Sequence, residues 1–96
     1  MTLQQLRYFV EVAHTLHYTK AAQNLNISQP SLSYAISQLS KKLGVPLFKI
    51  EGLKVSLTEY GEAFLPYAES ALNILAQGEA QLNRMNSPSN GNITLG

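Results

Sequence analysis

The stretch N-I-S-Q-P-S-L-S-Y-A-I-S-Q-L, residues 26–39, decides the fold. Leu32, Ala35, Ile36, Leu39 and then Leu43 share one helical face, yet Pro30 stands at the start of the pattern. Proline fits the first turn of a helix, where its missing N–H had no partner within the helix. Ser28 is then the N-cap, its hydroxyl accepting from a free first-turn amide. Asn26, Ile27 and Ser28 are left as a turn about three residues long. The outward residues of this helix end are Gln29, Pro30, Ser33 and Tyr34, with Ser37 one turn further on.

Upstream of the turn, T-K-A-A-Q-N-L at 19–25 reads as a short helix with Thr19 as its cap. Ala21, Ala22 and Leu25 form its buried side, and small alanines let a second helix cross closely. Before it, Leu3, Leu6, Phe9, Val10 and Ala13 recur at helical spacing behind a Thr2 cap, with an end near residues 14–16. Downstream, Gly44 closes the third helix as a left-handed cap and Pro46 prevents continuation. Lys41 and Lys42 fall in its last turn, at the negative end of the helix dipole. Two extended runs, 47–50 and 54–57, flank Glu51-Gly52-Leu53 and predict a β-hairpin.

Thr58 opens a fourth helix, with Glu59 and Glu62 favourably near its N-terminus. Phe64, Tyr67, Ala71, Ile74, Gly78, Leu82 and Met85 step by three and four, and Ala68, Leu72 and Leu75 widen the stripe. Pro66 removes one hydrogen bond inside it. A pattern of about 28 residues spans roughly 42 Å, too long for a body of under sixty residues to cover. The distal turns therefore predict pairing with a second copy, through Phe64, Tyr67, Ala68, Ala71, Leu72, Ile74, Leu75 and Leu82. N-S-P-S-N-G-N at 86–92 has linker composition, and Ile93-Thr94-Leu95-Gly96 reads as the first residues of a strand. The chain thus divides into a small domain (1–57), a linker helix (58–86) and a hinge leading to a further domain (87–96).

Ninety-six residues leave room for one domain plus an extension. The charged fraction of 14% is low, so the placement of charge is more telling than its amount. Residues 1–57 carry six Lys or Arg against two Glu, a net +4. Residues 58–96 carry one Arg against four Glu, a net −3. A basic front and an acidic back suit contact with a polyanion followed by a segment held off it. There is no cysteine, hence no disulfide or thiolate site, and no apolar run long enough for a membrane span. This fits a cytoplasmic protein.

Helix, helix, tight turn, helix, hairpin is the order of a winged helix-turn-helix. In that geometry the helix after the turn enters the DNA major groove with its N-terminal residues at the base edges. A glutamine such as Gln29 can pair bidentately with adenine, serines serve several bases, and Pro30 offers apolar surface to a thymine methyl. Amide and hydroxyl contacts in place of arginine–guanine forks imply a modest bias toward sites containing A·T.

Taken together, L-R-Y-F-V-E-V-A (6–13), Y-T-K-A-A-Q-N-L (18–25), S-Q-P-S-L-S (28–33), I-S-Q-L (36–39), L-G-V-P-L-F (43–48) and L-T-E-Y-G (57–61) form a specific series. With these motifs in this order, the chain resembles the N-terminal domain of the LysR-type transcriptional regulators over nearly its whole length. The resemblance implies a mainly α, winged helix-turn-helix fold with a dimerising linker helix, acting on double-stranded DNA with an inverted-repeat site. It also implies a C-terminal domain, beginning near Ile93, that binds a small-molecule effector; no cofactor is expected on residues 1–96. Base contacts carry over onto Gln29, Pro30, Ser31 and Ser33, with Tyr34 beside them. Backbone contacts fall on Thr19, Lys20, Ser28, Ser37, Lys49 and Lys54. Tyr34, Ile50 and Leu53 stand where the family often has a basic residue, and His17 where it often has Ser.

Other readings are weaker. His14 and His17 have the spacing of a metal pair on one helix, but no Cys, Asp or third His joins them. There is no nucleophile–base pair and no phosphate-cradling glycine loop, so no catalytic residue is assigned. The serious alternative is a helical protein–protein module that does not touch DNA.

Overall fold

The computed structural model describes residues 1–86. Four helices and one hairpin follow in the order α1 (Leu3–Thr15), α2 (Tyr18–Leu25), α3 (Gln29–Leu43), β1 (Phe48–Glu51), β2 (Lys54–Leu57) and α4 (Glu59–Met85). Each helix begins as capping chemistry dictates. Thr2 and Gln5 form a reciprocal capping box at α1, Ser28 accepts from the Ser31 amide at α3, and Thr58 accepts from the Gly61 amide at α4.

The start of α2 differs from expectation. The cap of α2 is His17, whose Nδ1 accepts from the Lys20 amide at 3.1 Å, so the helix starts at Tyr18 and Thr19 lies inside it. An imidazole nitrogen carrying no proton offers a lone pair just as a hydroxyl oxygen does. The earlier start also sets the Tyr18 ring edge-on to Phe48, with centroids 6.2 Å apart.

The turn between α2 and α3 is closed by its own backbone. Asn26 takes the left-handed conformation at φ 60, which asparagine tolerates, and the Ile27 amide reaches back to the Ala22 carbonyl at 3.0 Å. Ala21 and Ala22 are buried, allowing α2 to lie close to its neighbours.

Phe9, fully buried, is the hub of the core. Its ring lies 5.5 Å from those of both Phe48 on β1 and Phe64 on α4, tying hairpin and long helix to the three-helix body. Val12, Leu32, Ile36, Leu39 and Leu47 complete the centre.

The hairpin is antiparallel, pairing Phe48 with Leu57, Ile50 with Val55 and Glu51 with Lys54. It begins one residue later than the sequence pattern suggests. Leu47 is instead a buried core residue, and its carbonyl accepts from the Thr58 amide at 3.0 Å. Gly52, at φ 63, opens the two-residue turn.

Helix α4 packs its first half on α1 and then leaves the body. The longest extent of the molecule is 57 Å, and the radius of gyration is 16.9 Å. A compact chain of this size would give about 12 Å. No helix among the described residues is long and apolar enough to cross a membrane. The strand start expected at Ile93 and the hinge at 87–96 lie outside the described residues.

Candidate nucleic-acid interface

The N-terminal end of α3 is open. Gln29, Pro30, Ser31, Ser33, Tyr34 and Ser37 are all exposed, Tyr34 to 67%. Ser28 and Ser31 form one unit. The Ser28 hydroxyl accepts the Ser31 amide at 3.2 Å and donates to the Ser31 hydroxyl at 2.9 Å, leaving the Ser31 proton as the donor available to a ligand.

Between this helix end and the hairpin runs a groove of about 490 Å³. Its walls include His17, Thr19, Gln29, Ser33, Ile50 and Leu53. The strand register decides which wing residues face it. Ile50 and its partner Val55 line the groove, so the alternate residues Lys49, Glu51, Lys54 and Ser56 take the wing's outer face. The structure therefore does not bring Lys49 and Lys54 into the groove; both are exposed on the other face of the hairpin. Leu53, wholly exposed, forms the tip.

Thr19 is reassigned by its hydrogen bond. Its hydroxyl donates to Gln29 Oε1 at 2.8 Å, joining α2 to the first residue of α3. A threonine hydroxyl has a single proton, and a phosphate oxygen only accepts. In this arrangement the Thr19 proton is engaged by Gln29, while its exposed side chain stays at the groove wall. Lys20 next to it is exposed and keeps its charge outward. Burial of the Tyr18 phenol raises its pKa above the usual value.

The two histidines separate. His14 Nε2 meets Glu69 Oε2 of α4 at 2.6 Å, while His17 caps α2. Among the described residues no cluster of three or more metal-ligating side chains exists.

The long helix divides the predicted interface residues. Ala68 is 1% exposed and belongs to the core, so it forms no outer surface, whereas Phe64 packs on Phe9 and stays partly exposed beside Tyr60 and Tyr67. Residues 61, 65, 68 and 72 follow one stripe, which is the one turned to the body. Ala71 and Leu72 are partly covered by it. Tyr67, Ile74, Leu75 and Leu82 remain exposed, joined by Tyr60 and Met85.

This geometry defines the class: a winged helix-turn-helix with the start of its third helix exposed and a long, protruding fourth helix. Comparisons with known proteins narrow it. Residues 3–62 match the family described as bacterial regulatory helix-turn-helix protein, lysR family, and the chain belongs to that family. BudR, a transcriptional regulator of Klebsiella aerogenes, is 46% identical over 99 residues, spanning all of this chain and 67% of its own length. YybE of Bacillus subtilis is 38% identical over 96 residues, again the whole of this chain but 33% of its own length. Among solved structures, the DNA-binding domain of BenM in complex with catB site 1 DNA superposes with a TM-score of 0.86. It shares 38% identity over 91% of this chain and 98% of that one.

Proposed function

We propose that the chain binds double-stranded DNA sequence-specifically as a homodimer and serves as the DNA-binding part of a cytoplasmic transcriptional regulator, not as an enzyme. The observation that carries the proposal is the close likeness to a BenM domain solved on DNA, together with the polar, exposed start of α3. In this reading α3 enters the major groove with Gln29, Pro30 and Ser33 at the base edges, while Lys20, Lys49 and Lys54 neutralise phosphates. The exposed face of α4 pairs with a second copy, and two-fold symmetry requires an inverted-repeat site. Response to a small-molecule effector belongs to a C-terminal domain outside residues 1–96.

Selection of bound sequences from random duplex DNA tests the proposal directly. The expected product is a dyad-symmetric site. Three lysines per subunit give a slope of about −5 for log K against log salt in the dimer. Lys20→Ala should flatten that slope while weakening selected and random duplexes alike. Absence of duplex binding at low salt would leave the protein–protein module as the better reading.

A further inference from the structure

We propose that the apolar pocket where α3 ends against the start of α4 takes the Leu82 side chain of a second copy. The two α4 helices cross antiparallel about an axis level with the Leu72–Asn73 peptide. The inference rests on the homodimer reading above and states how the copies fit.

The outer face of α4 has the same spacing from both ends. From its start, Tyr60, Ala63, Tyr67 and Ala71 step by three, four and four. From its end, Met85, Leu82, Gly78 and Ile74 take the same steps. Residues three and four apart share a helix face, so these positions form one continuous strip. Turned end for end about its midpoint, the strip meets itself in register. Met85 comes level with Tyr60, Leu82 with Ala63, Gly78 with Tyr67 and Ile74 with Ala71. Three of these four levels set a large side chain against a small one, as interdigitating surfaces require.

Two of the levels are specific. At Ala63 the helix borders a pocket of about 320 Å³, whose other walls include the apolar Leu43, Val45, Leu47 and Phe64. At Gly78 a β-carbon would meet no atom within 4 Å, so packing within the chain gives no reason for glycine there. Only proline is a poorer helix former, and close approach by a partner helix supplies the reason. The exposed ring that reaches this space is the partner's Tyr67. A parallel pairing would set Gly78 against the partner's Gly78, Tyr67 against the partner's Tyr67, and leave both pockets open. It would also bring Glu59 and Glu62 of the two copies together, whereas the antiparallel order brings them to the end that carries Arg84.

The chain has no cysteine, so introduced cysteines report the register. Ala63→Cys and Leu82→Cys are made singly, then oxidised alone and as a mixture. The two positions lie about 28 Å apart along one helix, beyond the reach of a disulfide. The mixture should give covalent dimers and neither variant alone should. Gly78→Leu separates pairing from folding. It should keep the helical content of the single chain, because the space is open, yet weaken self-association about tenfold or more by collision with the partner's Tyr67. A cross-link in either cysteine variant alone, none in the mixture while the wild type sediments as a dimer, or a Gly78→Leu variant pairing as tightly as wild type would each overturn the inference. The homodimer would stand in all three cases. A wild type that sediments as single chains would instead remove the homodimer reading beneath it.

Discussion

Gly61 shows how one missing side chain positions the long helix. A β-carbon there would fall inside contact distance of the Leu47 carbonyl oxygen, and 2.8 Å from Leu57 Cδ2. The same carbonyl accepts from the Thr58 amide, and the Thr58 hydroxyl donates to the Pro46 carbonyl at 2.6 Å. Strand entry, strand exit and helix start thus converge on two successive carbonyls, those of Pro46 and Leu47. Two effects oppose each other in Gly61→Ala. Helix propensity favours alanine by roughly 1 kcal/mol. Overpacking against a backbone group that also holds a hydrogen bond costs about 1–3 kcal/mol or more, because no flexible side chain can yield. The clash wins. Urea denaturation of Gly61→Ala should show a net loss of about 1–2 kcal/mol, and an unchanged or raised midpoint would contradict the packing described.

Helix α2 has only eight residues, well below the length at which an isolated helix holds together in water. Its cap and its packing must therefore support it. His17→Ala removes the acceptor for the Lys20 amide and should cost about 1 kcal/mol, whereas His17→Ser supplies a hydroxyl and should restore most of it. Amide exchange at Lys20 reports the effect locally; equal exchange in wild type and His17→Ala would refute the cap. Local sequence signals do not fix the start of this helix. The start of α3 was legible because cap, proline and apolar spacing all agree on Ser28. The start of α2 was not, since histidine is an uncommon cap and Thr19 looked like a better one. The strand edge slipped by one because Leu47 and Phe48 are both apolar, and only the core shows which of them it takes. Gln29 and Ser33 could be read as exposed polar residues on their own helix. The Thr19–Gln29 bond could not, since it depends on how two helices cross.

At the scale of the molecule, the apolar stripe of α4 is wider than the body beneath it. Its inner edge, from Gly61 through Ala68 to Leu72, is covered by the same chain. Its outer edge leaves Tyr67 74%, Ile74 65% and Leu82 65% exposed, on a helix that stands clear of the domain. A run of large apolar side chains on one face of a protruding helix is the mark of an association surface. In a two-fold dimer each substitution acts twice, because the same patch serves both subunits. Burying one leucine is worth about 1.5–3 kcal/mol, so Leu82→Glu removes at least about 3 kcal/mol per dimer, on the order of a hundredfold or more in Kd. Sedimentation should find the wild type at twice 10.6 kDa and Leu82→Glu at the single-chain mass, with helical content retained because Leu82 touches no core residue. Ala68→Glu supplies the contrast: it places a charge in the core and should unfold the domain, not merely part the copies. Loss of the dimer in Leu82→Glu should also weaken binding to the full inverted repeat far more than to an isolated half-site. A wild type that sediments as a single chain at micromolar concentration, or a Leu82→Glu variant that still pairs, would remove the outer face of α4 as the dimer surface.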